Sequence, residues 1–422
     1  MRISGARRGG RAEHRGGLRR PRTPLMLLVV LALVAAACGD DDGEDEATTG
    51  GDRTATTTES TTGTGEVTVD IDGKAEDFNA GFLAYFPDRV TVHPGDTIVY
   101  ESRYSGEPHS ITFGTLVSEA VDAFRSLTPE QLESEGPPPP EIEAAFEAIP
   151  PMLPEGPGDA NQASVNPCFV VSGDVPDDPT QPCEVTEPAP FTGTETFYNS
   201  GFLPDGETFE LQLADDIAPG TYVGFCTLHF TEMISEVVVV PEDQEIPSSD
   251  EVEELGRQQL DDLVAELAPA AEVPADVEAG GVSAGAAPED VTNAMVLEFL
   301  PTDVEIASGD SVSWEIVGPH TVSFNAPESA RVLLNQGDDG GYHLNEETLA
   351  PAGFDAPPPP EEGGDGGDEP PPPVDAGTWD GTGFLSSGLA FGGVFTMSFS
   401  EAGTYEYVCL IHPDMEGTVR VT

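Results

Sequence analysis

Apolar and polar side chains begin to alternate at Val67, and Val67-Thr68-Val69-Asp70-Ile71 predicts a strand. The same two-residue period runs on both sides of Pro94-Gly95-Asp96 within 85–100, which reads as two strands around a turn. The pattern then breaks. Helical periodicity covers 117–132, prolines fill 137–140, and a short helix starts at Glu141. Strands resume at Phe197, and Gly220-Thr221-Tyr222-Val223-Gly224-Phe225-Cys226 leads into His229 and Met233. Ser248 can cap a helix with Glu251 at its third position, and Val252, Leu255, Leu260, Leu263, Val264 and Leu267 share one face. An amphipathic linker helix lying against a domain accounts for this segment. Beyond Pro269 the composition turns to Ala, Gly, Pro and Glu, which suits a flexible spacer.

From about Ala294 the first pattern returns. Residues 300–314 align without a gap on 86–100; His320 answers His109, Gly403-Thr404-Tyr405 answers Gly220-Thr221-Tyr222, and Cys409 and His412 answer Cys226 and His229. Each copy holds a long insertion at the corresponding place. The second insertion is made of Asp, Gly and proline runs, expected to be disordered or polyproline-like. Two copies in register are hard to attribute to chance.

The chain has 422 residues, room for two ordinary domains. It carries 16 basic against 78 acidic side chains, which makes nucleic acid and anionic lipid headgroups poor partners. Residues 1–38 have the plan of an export signal: an Arg-rich start, the apolar run 25–37, and small residues leading to Cys38. Ala35-Ala36-Ala37-Cys38-Gly39 resembles a bacterial lipoprotein cleavage site, which implies lipidation of Cys38. An ordinary signal peptide with an incidental Cys38 is the alternative. Arg19-Arg20 is followed by Pro21 and Arg22, a poor match to a twin-arginine motif. An acidic, Thr-rich stretch over 39–65 is expected to be a solvated tether.

Cysteine usage fits an exported protein. Cys168 and Cys183 flank a Pro- and Asp-rich loop and are expected to form a disulfide. Cys226 and Cys409 remain. A free thiol is unexpected in an oxidising compartment unless something such as a metal holds it.

Cys409, His412 and Met415 sit on a short loop between two strands, with two residues between each and the next, and His320 in Gly318-Pro319-His320 is an upstream candidate. Two imidazoles, a thiolate and a weak axial thioether make the ligand set of a blue-copper site. This segment is similar to the ligand loop of the cupredoxins, the plastocyanin, amicyanin and pseudoazurin family, with amicyanin-like short spacing. The resemblance implies an all-β fold of two tandem Greek-key β-sandwich domains, each with a long insertion, joined by a partly helical linker; strand spacing agrees. The expected division is 66–242 with insertion 115–195, a linker over 243–290, and 291–422 with insertion 326–376.

The resemblance also implies roles: Cys409 the thiolate, His320 and His412 the equatorial imidazoles, and Met415 the axial ligand. In the first unit Cys226, His109, His229 and Met233 would take those places. That unit departs from the family pattern, since three residues separate His229 from Met233 and Phe230 replaces the usual Pro. Met233 is the least secure ligand, and a first unit that has lost copper stays open.

One-electron transfer through two mononuclear copper sites is the expected function, outside the cytoplasm and without catalysis. Copper buffering or delivery without redox duty is an alternative. A two-domain copper oxidase or nitrite-reductase-like enzyme is disfavoured: such enzymes draw a second centre from further histidines, the oxidases as His-x-His pairs. The chain has no His-x-His, and once the four ligand histidines and the leader's His14 are set aside only His93 and His343 remain, read as surface loop residues. The acidity suits either a basic redox partner protein or hydration in high salt.

Overall fold

The computed structural model describes residues 65–422 apart from 104, 133–137, 154–158, 167–187, 276, 289, 339 and 357–372. Cys38, Cys168, Cys183 and the proline run at 357–360 lie outside the described residues, and with them the expected anchor and disulfide.

The first unit is two sheets face to face. Strand Glu66–Ile71 buries Val67, Val69 and Ile71 at alternate positions, as a sheet with one covered face requires. It lies between Tyr85–Phe86 and Thr97–Ser102, and Thr208–Gln212 completes the sheet. The second sheet runs in the order Arg89–Val92, Phe230–Val239, Gly220–Cys226, Thr112–Phe113 and Tyr198–Asn199. Val69, Ile98, Tyr100, Phe113, Leu211 and Val237 fill the space between them. Burial of each such side chain stabilises by roughly 1.5–3 kcal/mol.

The second unit repeats the plan. One sheet has the order Val374–Trp379, Ala390–Phe399, Ser311–His320, Gly281–Ala286 and Ala294–Leu300; the other has Asp303–Ile306, Glu416–Val421, Gly403–Val408, Ser323–Phe324 and Leu385–Ser386. Trp314, Phe324, Phe395, Phe399, Tyr407 and Val419 form its core.

The chain is therefore mostly β, in two sandwich units with few helices. The sheets are not wholly antiparallel. Glu66–Ile71 pairs parallel with Thr97–Ser102, and Arg89–Val92 parallel with Phe230–Val239. The second unit has the same parallel pairs, 281–286 with 311–320 and 303–306 with 416–421. The reason lies at Pro87 and Pro301, where the chain leaves one sheet and enters the other. The opening strand is thereby left beside the next strand to run in its own direction.

The spacer expected beyond Pro269 is corrected. Gly281–Ala286 is a central strand of the second unit, buried although it is built of Gly, Ser, Ala and one Val. Its small side chains gave no apolar alternation to read.

The units are joined closely. Ala80–Phe82 of the first unit pairs antiparallel with Ala294–Leu300 and forms the edge of the second unit's six-stranded sheet. Helix Ser249–Leu267 begins in a full capping box between Ser248 and Glu251, as its sequence predicts. It covers Phe82, Phe86, Val296 and Leu300 with Leu260, Leu263, Val264 and Leu267, so it packs on both units. The insertions also meet: Gln162 Nε2 donates to the Tyr342 carbonyl at 2.7 Å, and the Tyr342 amide donates to Gln162 Oε1 at 3.0 Å. His343, expected on a loop, lies in the short strand Tyr342–Leu344 of the second insertion and faces Asp159 at 3.3 Å. No helix among the described residues is long and apolar enough to cross a membrane.

Candidate metal centres

In the second unit the site is built where paired strands end. Gly403–Val408 and Glu416–Val421 stay in register to the pair Val408 and Glu416. The Cys409 amide donates to the Met415 carbonyl at 2.9 Å and closes the loop between them. His320 ends the neighbouring strand Ser311–His320. The Thr321 amide points at Cys409 Sγ from 3.4 Å, and the Leu410 amide donates to Thr321 Oγ1 at 2.7 Å, which ties the His320 strand to the loop.

Three donor atoms converge there. Cys409 Sγ lies 3.5 Å from His412 Nδ1 and 3.9 Å from His320 Nδ1, and the two Nδ1 atoms are 3.0 Å apart. All three residues are buried. One ion with bonds of about 2.0–2.3 Å to imidazole nitrogen and thiolate sulfur can touch all three corners of that triangle. Burial alone would raise the Cys409 thiol, but the His412 and His320 imidazoles outweigh it and hold the thiol well below its usual range. Burial lowers His320. Burial would lower His412 as well, yet the Cys409 thiolate and Glu107 bring it up to about 9.

The first unit reproduces this arrangement. His109, Cys226 and His229 bring their ligand atoms within 4.8 Å of one another. The Ser110 amide points at Cys226 Sγ from 3.4 Å, and the Thr227 amide donates to Ser110 Oγ at 3.1 Å, the counterparts of Thr321 and Leu410. Ring centroids of His109 and His229 are 4.9 Å apart, against 4.8 Å for His320 and His412. The Nδ1 atoms of His109 and His229 are buried with no protein hydrogen-bond partner, and Cys226 is a free buried thiol. A buried imidazole nitrogen without a partner is costly. The donor set in both units therefore fits a soft or borderline transition metal such as copper.

The odd spacing of the first unit has a structural cause. Phe230 pairs with Cys226 directly after His229, and the register with the partner strand shifts between Phe230 and Ile234. That irregularity absorbs one extra residue and places Met233 on the strand, whereas Met415 lies on the loop ahead of its strand. Both methionines are buried, in the same apolar clusters as their cysteines.

The two sites face the same seam. Gly106 has φ of 121°, and a Cβ there would stand 2.2 Å from the Ile411 carbonyl oxygen and 2.8 Å from His412 Cα. The first unit thus lays bare backbone on the ligand loop of the second. Asn79 Nδ2 donates to the Pro413 carbonyl at 2.9 Å and fastens the same loop. Beside Gly106, Glu107 places one carboxylate oxygen 3.6 Å from His229 Nε2 and the other 3.8 Å from His412 Nε2. Burial alone would raise the Glu107 carboxyl, but the His412, His229 and His109 imidazoles bring it down to about 2. Behind His109 stands Asp72, fully buried, with Oδ2 3.4 Å from His109 Nε2.

The structure brings together His109, Cys226 and His229, and separately His320, Cys409 and His412. His93 stays apart, its Nε2 2.9 Å from the Gln244 carbonyl. Glu107 and Asp72 were missed in the sequence. A signal existed for Glu107, since Glu107-Pro108-His109 aligns with Gly318-Pro319-His320 and differs at its first position.

No family model matches the chain, and no curated relative matches it. Solved structures similar to it include amicyanin from Paracoccus versutus (21% identity, 36% of this chain and 88% of that one, TM-score 0.15). Reduced auracyanin from Roseiflexus castenholzii is another (19% identity, 42% and 100%, TM-score 0.20). A third is auracyanin A from Chloroflexus aurantiacus, a "blue" copper protein (13% identity, 42% and 100%, TM-score 0.20).

Proposed function

We propose that the chain is a copper-binding electron-transfer protein with one mononuclear site in each sandwich. The observation that carries this reading is the convergence, twice over, of one buried cysteine sulfur and two buried histidine nitrogens. His320, Cys409 and His412 would hold one ion and His109, Cys226 and His229 the other, with the Met415 and Met233 thioethers as further donors. Copper held this way supplies a one-electron couple whose potential follows the axial group and the hydrogen bonds to the thiolate. The chain's own part is to fix the donors. Paired strands hold the cysteines, and the Thr321 and Ser110 amides orient the sulfurs. Burial keeps water from the imidazoles.

Export, lipid anchoring through Cys38 at the outer face of a bacterial cytoplasmic membrane, and exchange of electrons with a basic partner protein complete the proposal. They follow from the leader-like segment and the net charge of −62. Copper content per chain, measured with the visible spectrum during reductive and oxidative titration, tests it. Two coppers with an intense thiolate-to-metal band that bleaches and returns are expected. A protein that holds only cuprous ion and cannot be cycled is a delivery protein instead.

A further inference from the structure

The two sites are equivalent in register but differ in the group behind the upstream histidine. Ile71 pairs with Ser102 and Ala284 with Ile316, and the gapless alignment of 86–100 on 300–314, carried two residues further, matches Ser102 with Ile316. Asp72 and Gly285 are therefore the same position in the two units, one residue past those pairs. Both adopt left-handed backbone, with φ of 66° and 80°.

Their surroundings are opposite. Asp72 Oδ1 accepts from the amides of Gly73 at 2.7 Å and Phe82 at 2.8 Å, and Oδ2 accepts from the Ser105 amide at 3.0 Å. So held, the carboxylate faces His109 Nε2 from 3.4 Å with neither group exposed. At Gly285 there is no side chain, and a Cβ would stand 2.2 Å from His320 Nε2. Neither His320 Nε2 nor His109 Nε2 has a hydrogen-bond partner within the protein, so what sets the two sites apart is the Asp72 charge 3.4 Å from His109 Nε2. Glu107 does not discriminate between the sites, because it stands at nearly equal distances from His229 and His412.

We infer that Asp72 is a positioning residue that makes the first site the more easily oxidised of the two, and that Gly285 leaves the second without that support. A carboxylate on the far nitrogen of a metal-bound imidazole fixes its tautomer and raises its basicity. A more basic ligand with a negative charge behind it favours the more positive oxidation state. In a buried site little solvent screens that charge. The midpoint potential of the first site accordingly lies below that of the second. The inference rests on the copper reading above.

Single-site proteins test it. Copper-loaded full-length C409S keeps only the first site, and C226S only the second; spectroelectrochemistry reads each midpoint. A lower midpoint in C409S than in C226S is expected, and equal or reversed midpoints overturn the inference. Asp72→Asn, which keeps the side-chain shape, should raise the midpoint in the C409S background and leave it unchanged in C226S. A midpoint that does not move with Asp72→Asn also overturns it, while the coloured protein shows that the copper reading stands. If Asp72→Asn does not fold, the comparison of C409S with C226S still decides. Wild-type protein that takes up no copper removes the copper reading and the inference with it.

Discussion

Glu107 of the first unit and His412 of the second meet at 3.8 Å across the seam between the two sandwiches. The same carboxylate reaches His229 at 3.6 Å, so one buried charge serves both candidate centres. In this chain the loop-borne histidine of the second unit is covered by its neighbour, with 2% of its surface exposed, and is not presented to solvent. Replacing Glu107 with Gln should raise both midpoints together, because the removed charge is shared. Redox titration of the two single-site proteins carrying that change checks it, and a shift confined to one site would contradict the shared role.

Gly106 decides whether the seam can close. Its φ of 121° disfavours any residue with a Cβ, and that atom would meet the Ile411 carbonyl oxygen. Gly106→Ala should destabilise the protein by about 1–3 kcal/mol through backbone strain alone, with the docking clash adding to that. The visible band of the second site should change although no ligand is touched. Thermal unfolding and the spectrum of C226S with and without the change measure both effects.

Cys409→Ser should halve the bound copper and remove the second site's band while the first persists; Cys226→Ser should do the converse. The two clusters share no ligand. Metal analysis after loading is the check, and loss of both ions on either change would mean that the centres are not independent.

Metal-free protein should lose stability in acid through Glu107. Glu107 falls from 4.5 to about 2 on folding, so its stabilisation is present above pH 4.5 and is lost as pH falls through 2. His412 rises from 6.5 to about 9, so its stabilisation is full below pH 6.5 and is lost as pH rises through 9. The Cys409 thiol, held well below its usual value of 9, acts in the opposite sense, its share growing as pH rises toward 9, so His412 by itself sets no alkaline limit. Bound copper takes the place of the imidazole and thiol protons, and the loaded protein should be the more stable form across this range. Denaturant midpoints across pH, with and without copper, compare the two forms.

Gly256 sits mid-helix on the backbone of Phe86 and Pro87, where a Cβ would approach within 2.8 Å. Helix propensity alone would make Gly256→Ala stabilising by about 1 kcal/mol. The neighbouring atoms are main chain and cannot turn aside, and overpacking of this kind costs about 1–3 kcal/mol. Net destabilisation is expected, measured as a lower midpoint in urea.

Much of the site was legible because its parts are local. Cys409, His412 and Met415 share one loop, and alternation in 66–71 and 97–102 marks the strands that bound the core. The capping box at Ser248 and Glu251 was equally plain. Illegible parts had no local pattern. Gly281–Ala286 is central and buried, yet its small residues look like a spacer, and Ala80–Phe82 pairs across the unit boundary for reasons no neighbour in sequence reveals.

By itself the amino-acid sequence determined the donor types, their order and their duplication, since ligand chemistry and strand periodicity are properties of short segments. The folded chain alone decided that the two centres face one seam, that Glu107 lies between them, and that Asp72 backs one histidine where Gly285 leaves the other bare. Those relations join residues far apart along the chain. They exist only once parallel strand pairing and the docking of two cores have removed the intervening water and set the distances.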